Sequence, residues 1–196
     1  VTDEVLYTRD EYNRKFTAVG QKYEMNGSEV LSYESVPYTI VDEPAQMVRS
    51  NSPERWETTG VAYDDLLTGK TRFLLYNQNG IGYNVKMYIV ATNMNGTSAD
   101  VGIGAWGMGG PDTYTTNAGK FSTVRYLDML NRNTPVTYTT LRPGESKVLL
   151  PEIAVVPIKK DQTFSAYADI VSDKMIRYRI VVVPEKDDPI ASLSSL

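Results

Sequence analysis

A mainly β fold, an antiparallel β-sandwich with one α-helix inserted between strands, is what this sequence predicts, and three observations carry it. Val, Thr and Ile supply about a quarter of the 196 residues, and 14 of the aromatic residues are Tyr, side chains that suit a pleated, half-buried surface. Apolar and polar residues alternate with period two in several runs, most clearly from Tyr83 to Ala91. One stretch alone changes to a helical period. With 41% hydrophobic and 22% charged residues, the chain has the material to bury a core.

Residues 1–40 are polar and Tyr-rich, with Asp3, Glu4, Arg9, Asp10, Glu11, Arg14 and Lys15 crowding one segment. They are expected to form an extension packed on the domain, with one short helix near the start. A strand is expected at Val36–Val41, and Ser50–Glu54 reads as a loop. The sandwich itself is assigned to residues 41–183. Val61–Tyr63 and Thr71–Phe73 flank Asp64–Lys70, which suggests a hairpin with Gly69 in its turn. Arg72–Gln78 and Tyr83–Ala91 enclose Asn79-Gly80, a strong hairpin signal because both central residues of a type I′ turn need positive φ. Asn95-Gly96 repeats the signal before Ser98–Gly104, so a three-stranded meander follows.

From Asn117 to Arg132 the apolar residues Phe121, Val124, Leu127 and Leu130 form a helical stripe, with Tyr126 and Met129 beside it. A helix over about 117–132 is predicted, with Thr115, Thr116 and Asn117 as caps. Strands then resume at Val136–Leu141, Ser146–Leu150, Ile153–Ile158, Thr163–Val171 and Met175–Val183. Leu141–Ser146 reads as a tight turn, and Ser172-Asp173-Lys174 as the turn of a last hairpin. Phe164, Ala166, Ala168 and Ile170 share one face, as do Ile176, Tyr178, Ile180 and Val182. Residues 184–196, beginning Pro184-Glu185-Lys186-Asp187-Asp188-Pro189, have linker composition and are expected to lead to a further region. A start at Val suggests a mature or excised fragment.

Composition excludes several chemistries. The chain has no His and no Cys, which removes Ser-His-Asp and Cys-His nucleophile systems, disulfides and the usual nitrogen and sulfur metal ligands. A net charge of −4 without a basic run offers no footprint for nucleic acid. No segment reaches the ~20 apolar residues that span a bilayer, so no membrane insertion is expected in this segment.

The stretch Leu74–Gly82, the strand ending Val90-Ala91-Thr92-Asn93, the Gly-rich Gly107–Asp112, the helix, Leu141–Glu145 and the final Val181–Val183 before an acidic linker occur in an order that resembles a module of Paenibacillus- and Bacillus-type cell-surface proteins. Those proteins are often labelled copper amine oxidase N-terminal domain-containing, or stalk domain-containing. The resemblance covers about residues 40–196. It implies an extracellular or wall-associated, non-enzymatic module of a Gram-positive bacterium. It does not bring copper chemistry with it, since the copper enzyme needs His ligands that this chain lacks.

Candidate site residues follow from side-chain chemistry. Gly102-x-Gly104-x-x-Gly107 matches the dinucleotide fingerprint, but that motif works where a strand feeds directly into a helix, and here Gly109–Asp112 intervenes. A mobile sandwich loop is the expected reading. Trp106, Met108, Asp112 and Tyr114 on that loop are the candidate ligand-binding residues, with Trp106 able to stack on a sugar ring. Asp64 and Asp65 in the expected hairpin turn are the candidate calcium ligands. No other cofactor is expected. No catalytic residue is assigned, although a glycan hydrolase using two of Asp64, Asp65, Asp112, Asp128, Glu152 and Asp169 is an alternative. Asn26-Gly27-Ser28 and Asn95-Gly96-Thr97 fit the glycosylation sequon, but turn geometry already accounts for Asn-Gly. The expected function is a structural or binding module of a bacterial cell-surface or secreted protein. Its expected partners are cell-wall glycan or other surface-protein domains, with a lectin-like module centred on Trp106 as the binding alternative.

Overall fold

The computed structural model describes residues 46–52 and 54–195, which lie in the unit Pro44–Leu196. The helix near the start, the strand at Val36–Val41 and the packed extension over 1–40 lie outside the described residues. The alternating segments become eight strands: β1 (Gln46–Ser50), β2 (Arg55–Trp56), β3 (Gly60–Asn79), β4 (Val85–Thr92), β5 (Ala99–Asp112), β6 (Thr137–Leu141), β7 (Ser146–Leu149) and β8 (Thr163–Pro184). Among the described residues one α-helix, α1 (Thr115–Asn131), is inserted between β5 and β6. The domain is therefore mainly β with one inserted helix.

The 22 residues of β8 organise the sheet. Along one edge β8 pairs antiparallel with β3 from end to end. Along the other edge its first half pairs with β5 and its second half with β4. Strands β1 and β2 join β3 in parallel, while β6 joins β5 and β7 joins β4 in antiparallel fashion. The two long strands bend together at one point. There Thr68 of β3 stands opposite Asp173, Lys174 and Met175 of β8, and Gly69 takes φ +75°. Extra residues on one strand of a pair bend it and raise its twist. The bend divides the sheet into two limbs: β1, the second half of β3, the first half of β8, β5 and β6 in one; the first half of β3, the second half of β8, β4 and β7 in the other.

Period two places the core. Phe73, Leu75, Phe164, Ala166, Ala168 and Ile170 on the first limb, and Met87, Ile89, Ile176, Tyr178, Ile180 and Val182 on the second, belong to one continuous buried cluster. The two faces read from alternate residues of 164–170 and 176–182 are thus one inner face carried through the bend. Beyond the bend the limbs are tied again, where Ile158 exchanges backbone hydrogen bonds with Val85 and its carbonyl accepts the Asn79 carboxamide.

Several local expectations are corrected. Neither Asp64–Lys70 nor Ser172–Lys174 is a hairpin turn; each lies within one continuous strand. A single left-handed glycine closes a bulge as readily as a turn, and both flanks of β3 find partners on β8. Nor do Asn79-Gly80 and Asn95-Gly96 close hairpins, since β3, β4 and β5 all pair with β8 and not with each other. Ile153–Ile158 is no strand. Pro151 opens a 3₁₀ turn over Pro151–Ala154, and Ile158 forms an isolated bridge to Val85. The tight turn at Leu141–Ser146 is present, with Gly144 at φ +74° and the Glu145 carboxylate accepting the Arg142 amide. Within the segment read as a linker, the Asp188 carboxylate accepts the amides of Ile190 and Ala191 and caps a 3₁₀ turn over Ala191–Ser194.

The helix is where it was expected, but its buried face is not. Ala118, Ser122 and Tyr126 are buried, whereas Val124, Leu127 and Leu130 are 38%, 48% and 39% exposed. The apolar stripe points away from the sheet. The reason lies in β5, whose outer-face glycines let the helix backbone at Ala118, Ser122 and Tyr126 lie directly on the strand, with the Tyr126 ring set over Tyr167 of β8.

Candidate functional site

The segment from Gly102 to Asp112 is strand, not loop. Its glycine spacing follows from a bulge. Ile103 pairs with Ile170 and Trp106 with Ala168, so Gly104 and Ala105 together oppose Asp169 alone. One extra residue exchanges the two faces of a strand. Val101 and Ile103 face inward before the bulge, and Trp106 and Met108 after it. Gly102 faces outward before it, and Gly107 and Gly109 after it. The i, i+5 step from Gly102 to Gly107 that resembles a nucleotide fingerprint is therefore the signature of a bulged strand with a glycine outer face.

The four candidate ligand-binding residues occupy different settings. Trp106 and Met108 are half-buried against the core, across from Ala168 and Ala166, whose small side chains leave room for them. Trp106 does not project from a loop. Asp112 ends β5 and organises the entry to α1: its Oδ1 accepts the Tyr114 amide at 2.9 Å and its Oδ2 accepts the Asn117 carboxamide at 3.3 Å. Tyr114, 45% exposed, stands at the N-cap of α1. Asp112 and Tyr114 thus share the helix start, while Trp106 and Met108 belong to the inner face.

The outer face of β5 seats the helix. A Cβ on Gly107 would run into the backbone of Ser122, Arg125 and Tyr126, and one on Gly109 into the Ala118 carbonyl. Ser122 and Ser165 join hydroxyls at 2.7 Å, and the Arg125 guanidinium donates to the Met108 carbonyl at 2.7 Å. At the centre, the Asp169 carboxylate accepts two hydrogen bonds from Arg72 at 2.7 and 3.1 Å and one from the Tyr126 hydroxyl at 2.8 Å. Tyr126 stacks on Tyr167 with centroids 5.3 Å apart, and the Arg72 guanidinium lies over the Tyr126 ring. A carboxylate held by a bidentate guanidinium and a phenol is a clamp between helix and sheet.

The two candidate calcium ligands do not converge. Asp64 takes both Nε and Nη2 of Arg177, at 2.7 and 2.5 Å. Asp65 lies on the other side of the strand, on the side of Tyr63, whose hydroxyl is pushed up in pKa by burial and then by the Asp65 charge. Among the described residues no group of three acidic side chains is placed to hold a metal ion. Of the remaining acids weighed for catalysis, Asp128 pairs with Arg132 and Asp169 with Arg72, and Glu152 sits in the Pro151–Ala154 turn.

The Arg177 hydrogen bonds hold the Asp64 carboxyl below its ordinary pKa against the opposing effect of burial, with the charges of Arg177 and Arg179 adding to the shift. A depressed folded pKa contributes stability that is present above the unfolded value and lost as pH falls through the folded one. Removing the guanidinium in Arg177→Gln should therefore raise the Asp64 pKa toward its ordinary value. It should also flatten the acid limb of stability, as read by carboxyl-carbon NMR titration and by urea denaturation across acidic pH. A titration of Asp64 that is the same in both proteins would show that the pair carries no such coupling.

The sequence presents Asn79 as a turn former and Asn93 as the end of a strand, and the structure makes both the plugs of two loops. Asn79 accepts the Ile81 amide and donates to the carbonyls of Tyr83 and Ile158. Asn93 repeats the pattern, accepting the Asn95 amide and donating to the carbonyls of Thr97 and Leu141. Both are fully buried. Their shared signal in the sequence is an Asn in phase with the buried residues of the preceding strand.

Comparison of the chain with protein-family models, with curated proteins and with solved structures finds no match. No helix among the described residues is long and apolar enough to cross a membrane.

Proposed function

We propose that the unit Pro44–Leu196 is a non-enzymatic structural module, with the two limbs layered as a sandwich, of a bacterial cell-surface or secreted protein. This is the role implied by its resemblance to stalk-domain proteins. The observation that supports it best is the path of the chain. Gln46 at the start of β1 pairs with Thr71, close to the bend, whereas Pro184 at the end of β8 pairs with Val85, where Ile158 ties the limb tips. Tension between these two points pulls β1 along β3. Hydrogen bonds that run across strands are then loaded together and in shear, the arrangement that suits a spacer. Buried side chains on both limbs and the Asp169 clamp supply stiffness across the long strands.

The test is mechanical, with a binding arm. Single-molecule pulling through residues 46 and 184 should give one high-force unfolding event, and Val48→Pro, which removes a β1 amide and clashes within the strand, should lower that force sharply. A low force that Val48→Pro leaves unchanged would sink the spacer reading. Saturable binding to purified cell-wall polysaccharide or peptidoglycan, lost in a folded Trp106→Ala variant, would put the lectin-like reading in its place.

A further inference from the structure

Three buried hydroxyls lie on the inner face around the bend. Thr71 on β3 and Ser172 and Tyr178 on β8 all face inward and are 2%, 4% and 1% exposed. None of the three oxygens has a protein hydrogen-bond partner. Ser172 pairs across from Gly69 and Thr71 from Ile170, which makes Thr71 and Ser172 diagonal neighbours on one face. Phe73, the next inward residue after Thr71, packs on Tyr178 with centroids 5.4 Å apart, which brings the phenol ring of the second limb against the neighbour of Thr71 on the first. Burial raises the Tyr178 pKa, and the nearby Ser172 hydroxyl opposes that rise, yet the two groups make no direct hydrogen bond.

A hydroxyl removed from water and left unpaired is destabilising, and three around one bend of a well-packed core call for a common partner. We propose that this junction is a binding site for one internal water molecule, bridging Thr71 Oγ1 and Ser172 Oγ of the first limb to the Tyr178 hydroxyl of the second. Water suits the site because the three groups are neutral and each both donates and accepts; three polar partners is the usual number for a buried water. The guest ties the two limbs where both long strands bend. The inference rests on these hydroxyls and is independent of the spacer reading.

Oxygen-17 magnetic relaxation dispersion on the full chain counts waters held longer than molecular tumbling. The double variant Ser172→Ala, Tyr178→Phe should bind one fewer such water than the unaltered chain. Trp56→Phe, which removes an unpaired indole donor elsewhere, should keep it. An unchanged count in a folded double variant overturns the proposal. Should the double variant fail to fold, a high-resolution crystal structure of the unaltered chain decides: density within hydrogen-bond distance of all three oxygens supports the site, and a dry junction overturns it.

Discussion

Replacing Gly109 by alanine is expected to destabilise the domain by about 3 kcal/mol, the upper end of what overpacking a close contact costs. The added methyl would overlap the carbonyl oxygen of Ala118, a backbone atom that cannot rotate away, so α1 as a whole must lift from β5. Lifting it strains the Ser122 to Ser165 hydrogen bond and the bond from Tyr126 to Asp169 as well. Gly107→Ala should behave alike, because its Cβ would meet the backbone of Ser122 and Tyr126. Gly82→Ala and Gly96→Ala place the methyl in open space and should stay within about 0.5 kcal/mol of the unaltered chain. Urea denaturation of the four variants checks this. Equal midpoints for Gly109→Ala and Gly96→Ala would mean that α1 does not sit against the strand backbone.

Truncating Asn93 to alanine is expected to cost a similar ~3 kcal/mol, since it leaves the buried carbonyl of Leu141, and the part-buried carbonyl of Thr97 and amide of Asn95, without their partner. The aspartate substitution carries a pH signature. In Asn93→Asp the carboxylate would still accept the Asn95 amide but would face two carbonyl oxygens and be fully buried, conditions that raise its folded pKa above the unfolded value. Such a group contributes stability below its unfolded pKa and loses it as pH rises through the folded one. Asn93→Asp should therefore be most stable in acid and weaken toward neutrality, opposite in sign to the native Asp64. A stability profile parallel to that of the unaltered chain would show that the side chain is not held by those carbonyls.

The first of these predictions falls on a glycine that the sequence presents as part of a loop, the second on an asparagine that it presents as the end of a strand. The alternation of Phe164 to Ile170 and of Ile176 to Val182 was legible because period two follows from backbone geometry alone, and it survived the bend between them. The position of α1 was legible for the same reason, from period 3.6. Its buried face was not. Val124, Leu127 and Leu130 obey the rule for an amphipathic helix, but which side of a helix is buried depends on the surface that receives it. Here that surface is a glycine strand whose outer face is set by a bulge at Gly104–Ala105.

The candidate site divides in the same way. Asp112 and Tyr114 are neighbours in sequence and remain together at the helix start, because short-range hydrogen bonds hold them. Asp169, Arg72 and Tyr126 are separated by 97 and 43 positions and meet only when β3, β8 and α1 assemble. By itself, the sequence determined the strand content of the described residues, the place of α1, the inward set of side chains on each long strand and the exclusion of imidazole and thiol chemistry, since these depend on residue type and local period. Tertiary structure alone decided that β3, β4 and β5 all pair with β8, that Asn79 and Asn93 plug loops, and that glycines face the helix. Strand pairing is chosen by the summed burial of whole faces across long separations, a quantity that no local signal such as Asn-Gly carries.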